Sequence, residues 1–300
     1  MRISGLVVLG FLLLFGCSAP QQQMMRGVAS STSQTGEATV RDLWSKYAVP
    51  ASWCSSLEDP AFNCSGVLLR GTTASREFHA WNPAPSAYDR NGVSFSFLRQ
   101  DAKFKGLAYG YNHGFIFHAR YWAPPGKDPV VVRCIFPLDA WTQDRTGDAC
   151  GSRPNHLENR PCQEQGVNTA EQWLAHFRGA AGSVLGRQCG FKVHEALGTS
   201  GAEGFDAAVK AIALLGAQSF NTWSEVIVAP WEQDIGERLP LQAFFYLATP
   251  GGLAGAKDDQ KDFYEQTEIW VPVIRITLPA TVSAQANFQY FEGDQWTPAN

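Results

Sequence analysis

Residues 92–99 read GVSFSFLR, and this stretch decides the fold class. Apolar side chains at positions 93, 95 and 97 alternate with Ser94 and Ser96, and a period of two is typical of a strand with one apolar and one polar face. The preceding segment, residues 82–91, contains Pro83 and Pro85 and is followed by Gly92, which indicates a loop before the strand. The stretch therefore predicts a half-buried β-strand in the N-terminal part of the chain.

Apolar runs on both sides of this stretch predict further strands, and the segment between them predicts helices. Thr169 followed by Gln172 forms a capping box at the start of one helix. Apolar residues between Phe205 and Leu215 lie on one face of a second helix. Short helices are predicted at 41–47 and 257–264, and strands at 66–71, 114–118, 130–136, 223–229, 241–248, 269–278 and 286–291. We therefore expect an α+β fold, with mostly antiparallel strands in the N- and C-terminal parts around a helical middle.

The first seventeen residues are typical of a signal peptide that ends at a lipid-bearing cysteine. Arg2 supplies a positive charge, and the apolar run at 6–15 is too short to span a bilayer. Leu14-Phe15-Gly16-Cys17 resembles the lipobox of bacterial lipoproteins. Because Phe15 replaces a small residue, an ordinary secretory signal cut slightly later is the alternative. We expect a signal peptide at 1–16, a lipidated flexible tether at 17–39 and a single domain at 40–300.

The cysteines are consistent with export. The chain has seven, and setting Cys17 aside for lipid leaves six, an even number that implies disulfides in an oxidising compartment. Short loops favour the pairs Cys54–Cys64, Cys134–Cys150 and Cys162–Cys189, although other pairings are open. Ser18 after the lipidated cysteine favours the outer membrane, so the expected location is the outer membrane or, after release, the outside of the cell.

Charge and composition argue against nucleic-acid binding and against a metal site. The net charge of −4 gives no electrostatic basis for nucleic-acid binding. His113 and His118 have no carboxylate beside them in the sequence, which favours packing over ligation, so no metal site is predicted. No resident cofactor is expected.

Three polar motifs occur in a specific order. Arg70 follows an apolar run, Ser94 and Ser96 lie within the strand quoted above, and Gln266 and Glu268 precede the apolar residues that begin at 269. This order resembles the arginine–serine–glutamate class of ADP-ribosyltransferase toxins. The resemblance implies that the arginine and the serines bind NAD and that the glutamate is catalytic, with the upstream glutamine placing the acceptor.

The chemistry of NAD cleavage requires these residue types. An arginine can hold the two phosphates through paired, charge-assisted hydrogen bonds. Breaking the bond between ribose and nicotinamide develops a positively charged oxocarbenium, which a nearby carboxylate stabilises. Arg70 is therefore the predicted phosphate-binding residue, and Glu268 is the predicted catalytic carboxylate.

Alternatives remain at each position. The family serine motif is Ser-Thr-Ser, whereas this chain has a phenylalanine between Ser94 and Ser96, and both serines could form a solvent-facing side of the strand. The segment 266–268 could be the polar end of a helix that precedes a strand. Glu225 is a rival catalytic carboxylate, because it lies in an apolar strand, where a charge needs a reason.

A second resemblance covers most of the chain after the leader. The segments 62–72, 92–99, 109–116, 239–246 and 271–276 resemble the halovibrin family of secreted bacterial proteins, described as ADP-ribosyltransferases or NAD glycohydrolases. This resemblance implies NAD cleavage outside the cytoplasm, with water or a protein as the acceptor. One alternative is a non-enzymatic envelope lipoprotein that binds a glycan or a protein through exposed aromatic residues. Another is a glycan hydrolase that uses Glu225 and Glu268 as a carboxylate pair.

Overall fold

Nine β-strands organise the chain in the computed structural model, which describes residues 35–48, 59–73, 78–140, 150, 160–178, 188–193, 197, 199–217 and 219–297. The strands are β1 (Val67–Gly71), β2 (Val93–Leu98), β3 (His113–Phe117), β4 (Val132–Phe136), β5 (Phe191–Lys192), β6 (Glu225–Val228), β7 (Leu241–Leu247), β8 (Val273–Thr277) and β9 (Asn287–Tyr290). The α-helices are α1 (35–47), α2 (Pro85–Asp89), α3 (Ala170–Arg178), α4 (Thr199–Leu215) and α5 (Gly252–Thr267).

The strands form one sheet in the order β5-β4-β6-β2-β1-β3-β7-β8-β9. Neighbouring strands are antiparallel throughout, except that β7 and β8 are parallel. A parallel pair needs a crossover connection, and α5 lies in that connection. The predicted α+β fold with mostly antiparallel strands is therefore confirmed.

Apolar side chains cover both faces of the sheet. On one face, Phe95 and Phe97 pack in a core with residues of α3, α4 and α5, such as Phe177 and Phe205. On the other face, Leu98 packs in a second core with Leu43 of α1. The alternation predicted for β2 is correct, but α1 and neighbouring loops cover the second face as well. The strand is therefore buried over much of both sides, and its serines do not form a solvent-facing side.

Two predicted local features are confirmed. Disulfides join Cys134 to Cys150 and Cys162 to Cys189, while Cys54 of the third predicted pair lies outside the described residues. The capping box at the start of α3 is formed in both directions. The Gln172 backbone N–H donates to Thr169 Oγ1 at 3.2 Å, and the Thr169 backbone N–H donates to Gln172 Oε1 at 3.1 Å.

Two helices are longer than the sequence predicts. Helix α1 already begins at residue 35, within the segment predicted to be a tether, and an i,i+4 pair joins Glu37 of the added part to Arg41 of the predicted part. Helix α5 continues to Thr267, whose hydroxyl donates to the Phe263 carbonyl at 2.7 Å. The strand predicted from 269 therefore starts at Val273. The predicted signal peptide and Cys17 lie outside the described residues.

Candidate functional site

Strand β2 lies between β6 and β1 and pairs with β6 along its first half and with β1 along its second half, and a cavity lies where the two pairings meet. Its first half pairs with β6, ending at Phe95 opposite Val226. Its second half pairs with β1, starting at Ser96 opposite Leu69. The next residue of β1, Arg70, has no partner on β2 in this register, and like Leu69 it pairs with β3 on the other edge of β1. The ends of β1 and β6 are thus brought to the same stretch of β2, where their polar side chains meet.

The cavity has a volume of about 310 Å³ and brings together four of the residues predicted from the sequence. Arg70, Ser94, Ser96 and Glu225 all line it. The Arg70 Nη1 group donates to the backbone carbonyl of Ser94 at 2.7 Å. The Ser94 hydroxyl donates in turn to Glu225 Oε1 at 2.6 Å. An arginine, a serine and a glutamate are therefore linked by two short hydrogen bonds within one cavity.

Glu225 is held firmly by its surroundings. The residue is 5% exposed, and its second carboxylate oxygen, Oε2, accepts a hydrogen bond from the Ala140 backbone N–H at 3.1 Å. A buried carboxylate is tolerated only when its oxygens are hydrogen-bonded. Ser94 and Ala140 meet this requirement from two sides, so the carboxylate is fixed in position beside the cavity.

Positive charge faces the carboxylate within the same cavity. Burial lowers the pKa of Arg70, an effect that the nearby Tyr111, Glu225 and Tyr109 oppose. A guanidinium remains charged even so. Arg90, which follows α2, is an exposed second guanidinium in the lining. Among the described residues, neither arginine forms an ion pair with a carboxylate, so both keep donors for an anionic ligand.

Aromatic side chains form part of the cavity wall. Tyr111 is half-buried and lies directly against the backbone of Gly71, at the end of β1. A Cβ atom at position 71 would come within 2.8 Å of the Tyr111 Cβ atom, so glycine is required for this contact. Tyr109 is 72% exposed, and its ring lies 5.7 Å from that of Tyr111. Trp223 also lines the cavity.

The other two predicted site residues lie elsewhere. Gln266 is in the last turn of α5, and Glu268 caps that helix with a left-handed backbone (φ 58°). Both side chains are exposed, and neither is among the residues that line this cavity. The segment is thus the polar end of a helix, and it does not meet Arg70 in this cavity. Glu225 and Glu268 are likewise not brought together here as a carboxylate pair.

Sequence reasoning missed several cavity residues. Tyr109, Tyr111 and Arg90 belong to loops or helix ends, where apolar periodicity carries no signal. The Ala140 amide is a backbone group, which residue type cannot reveal. Glu225 was recognisable as a charge within an apolar strand, and that signal was the useful one.

Metal-binding clusters and membrane-spanning helices are both absent from the described residues. No group of three or more histidine, cysteine, aspartate or glutamate side chains in that part of the chain could hold a metal ion. No helix among the same residues is long and apolar enough to cross a membrane.

No protein-family model matches the chain, and no curated protein sequence matches it.

Proposed function

We propose that this protein cleaves NAD at the bond between ribose and nicotinamide, with Glu225 as the catalytic carboxylate. The observation that carries the proposal is the hydrogen-bonded series from Arg70 through Ser94 to Glu225 in one cavity. It contains the residue types of the arginine–serine–glutamate class, with the glutamate supplied by β6 and not by Glu268.

The charges in the cavity are complementary to NAD. The substrate has a cationic nicotinamide ring at one end and an anionic diphosphate in its middle. Glu225 supplies a fixed negative charge, and Arg70 supplies a forked cation that suits phosphate oxygens. The cavity thus offers a partner of opposite sign to each charged part of the dinucleotide.

In the proposed reaction, the bond between the ribose C1′ and the nicotinamide nitrogen breaks, and the bonding electrons leave with neutral nicotinamide. Positive charge then develops on the ribose, next to the Glu225 carboxylate. Because Ser94 and Ala140 already orient this carboxylate, little reorganisation is needed as the charge appears. Water attacks C1′ and loses a proton, which gives ADP-ribose, or a nucleophile of a protein acceptor takes its place.

We also propose that the protein belongs to the halovibrin family, is exported and carries a lipid anchor at Cys17. The two disulfides are compatible with export.

The alternative of a non-enzymatic binding protein would be marked by exposed aromatic residues without a buried carboxylate near an arginine. Glu225 and Arg70 line one cavity, which favours the enzyme.

The test is cleavage of a fluorescent NAD analogue by the purified full-length protein. We expect Glu225→Gln, which keeps the size of the side chain, to lower kcat at least about 100-fold. Arg70→Lys should raise KM, because lysine cannot bind phosphate oxygens through two parallel hydrogen bonds. Thermal melting confirms that each variant is folded.

Glu268→Gln is the matched control, since it makes the same change at an exposed glutamate. We expect it to retain full turnover. Full turnover in Glu225→Gln together with loss in Glu268→Gln would reverse the assignment. No release of nicotinamide by the wild-type protein would refute the proposed function.

A further inference from the structure

The residues that line the cavity differ widely in exposure, from a buried glutamate to an exposed tyrosine. Glu225 is 5% exposed, Arg70 and Tyr111 are half-buried, and Tyr109 is 72% exposed. The cavity, at about 310 Å³, is at the lower end of the range of about 300–1,000 Å³ for ligand pockets. A dinucleotide with its reacting bond at Glu225 would therefore extend outward past Arg70, toward the two tyrosines.

Tyr109 has an unfavourable backbone and an unfavourable environment for a tyrosine. Its φ of 53° and ψ of 15° lie in the left-handed region, which non-glycine residues rarely adopt. Its ring is mostly in water, and Tyr111 supplies its ring contact among the described residues. Strain of this kind persists where the surrounding structure imposes it, and it is concentrated at ligand-binding positions.

The Tyr109–Tyr111 pair is also anchored to the site itself. Tyr111 lies against Gly71, the neighbour of Arg70, at a distance that leaves no room for a side chain at position 71. The phenol groups of both tyrosines are near enough to the Arg70 guanidinium to oppose the lowering of its pKa by burial. The aromatic pair therefore lies next to the predicted phosphate-binding group, on the outer side of the cavity.

We propose that Tyr109, supported by Tyr111, is the stacking surface for the adenine base of the dinucleotide. This inference rests on the proposed function, because that function places the reacting bond at Glu225 and so sets the direction in which the substrate lies. It makes Tyr109 a specificity residue: ligands with an adenine beyond the diphosphate gain the stacking contact, and ligands that lack it do not.

The test measures the affinity of the full-length protein for two fragments of NAD by calorimetry. ADP-ribose carries the adenine, and nicotinamide mononucleotide does not. We expect Tyr109→Ala to weaken ADP-ribose binding about 5- to 150-fold, as for loss of a stacked base, and to leave nicotinamide mononucleotide binding unchanged. Tyr109→Phe should retain the affinity, because the ring is kept.

Two further variants separate stacking from a structural role. Tyr121→Ala removes another exposed tyrosine, 49% exposed, that does not line the cavity, and it should change neither affinity. Tyr109→Gly should lose ADP-ribose affinity without a lower melting temperature, because glycine accepts the left-handed backbone. Equal weakening of both ligands in Tyr109→Ala, or no ADP-ribose binding by the wild type, would overturn the inference.

The two proposals fail in different ways. If the enzyme releases nicotinamide but Tyr109→Ala binds ADP-ribose normally, the stacking inference is wrong and the proposed function stands. If ADP-ribose binding depends on Tyr109 but nicotinamide is not released from NAD, the stacking surface stands and the proposed function is wrong.

Discussion

Replacing Asp259 by asparagine should stabilise the protein at neutral and alkaline pH. Asp259 of α5 is 4% exposed, and burial, with help from Asp262 and Asp258, raises its pKa from 3.8 to about 8. Its Oδ2 atom lies 3.9 Å from His113 Nε2, which has no hydrogen-bond partner among the described residues. The site therefore favours an uncharged carboxyl group, which asparagine imitates in size and charge.

The sign and the size of the effect follow from proton binding. Between pH 3.8 and about 8, folded Asp259 keeps its proton while the unfolded chain has lost it. The free energy of unfolding of the wild type should therefore fall as the pH rises through this range, by at most about 1.4 kcal/mol per pH unit. The full difference corresponds to about 6 kcal/mol, and relaxation around the charge reduces it. We expect asparagine to recover at least about 2 kcal/mol at pH 8.

Urea unfolding of wild type and Asp259→Asn at several pH values between 4 and 9 measures the effect. The difference between the two should be small near pH 4, grow up to about pH 8 and then level off. Glu265→Gln is the control, because it removes an exposed carboxylate of the same helix. It should change the free energy by no more than about 0.5 kcal/mol at any pH. A difference between Asp259→Asn and wild type that is constant from pH 4 to pH 8 would refute the reasoning.

Three further predictions concern other positions. Burial, followed by Lys46 and Lys127, lowers the pKa of His118 to about 3. As the pH falls from 6.5 toward 3, the unfolded chain binds a proton at this histidine that the folded protein does not bind, so the free energy of unfolding falls. In urea unfolding between pH 7 and pH 4, His118→Gln should therefore lose less stability than wild type, and parallel losses would contradict this. Gly71→Ala should raise KM for NAD in the cleavage assay, because the new Cβ atom would displace Tyr111; an unchanged KM would show that Tyr111 is not needed in that position. Thr169→Ala should lower the free energy of unfolding by about 1 kcal/mol through loss of the α3 cap. Ala175→Gln, at an exposed position of the same helix, should change it by no more than about 0.5 kcal/mol, and equal losses in the two variants would contradict a specific capping effect.

Local patterns predicted the elements of the fold well, because they depend on interactions between near neighbours. The period of two in residues 92–99 predicted β2, and Thr169 with Gln172 predicted the start of α3. The order of strands in the sheet was not predictable in this way. It depends on which apolar faces pack together across the whole chain, and periodicity carries no information about that.

The candidate site illustrates the same limit. Arg70, Ser94 and Ser96 were recognised from short motifs, and they do line one cavity. The segment 266–268 matched a motif locally, but the helix before it continues to Thr267, beyond the short helix predicted at 257–264. Glu225 was singled out as a charge among apolar residues. Its contact with Ser94 could not be predicted, since it depends on the pairing of β2 with β6.

The pairing of β2 with β6 also has a consequence for how the protein folds. The hydrogen bond between Ser94 and Glu225 joins residues 131 positions apart, and contacts of such sequence separation form slowly because a long loop must close first. A chain still emerging from the ribosome has the arginine and the serine long before it has the carboxylate. The complete site is therefore a late product of folding, and recovery of ligand binding should follow, not precede, recovery of the sheet when the unfolded protein is returned to native conditions.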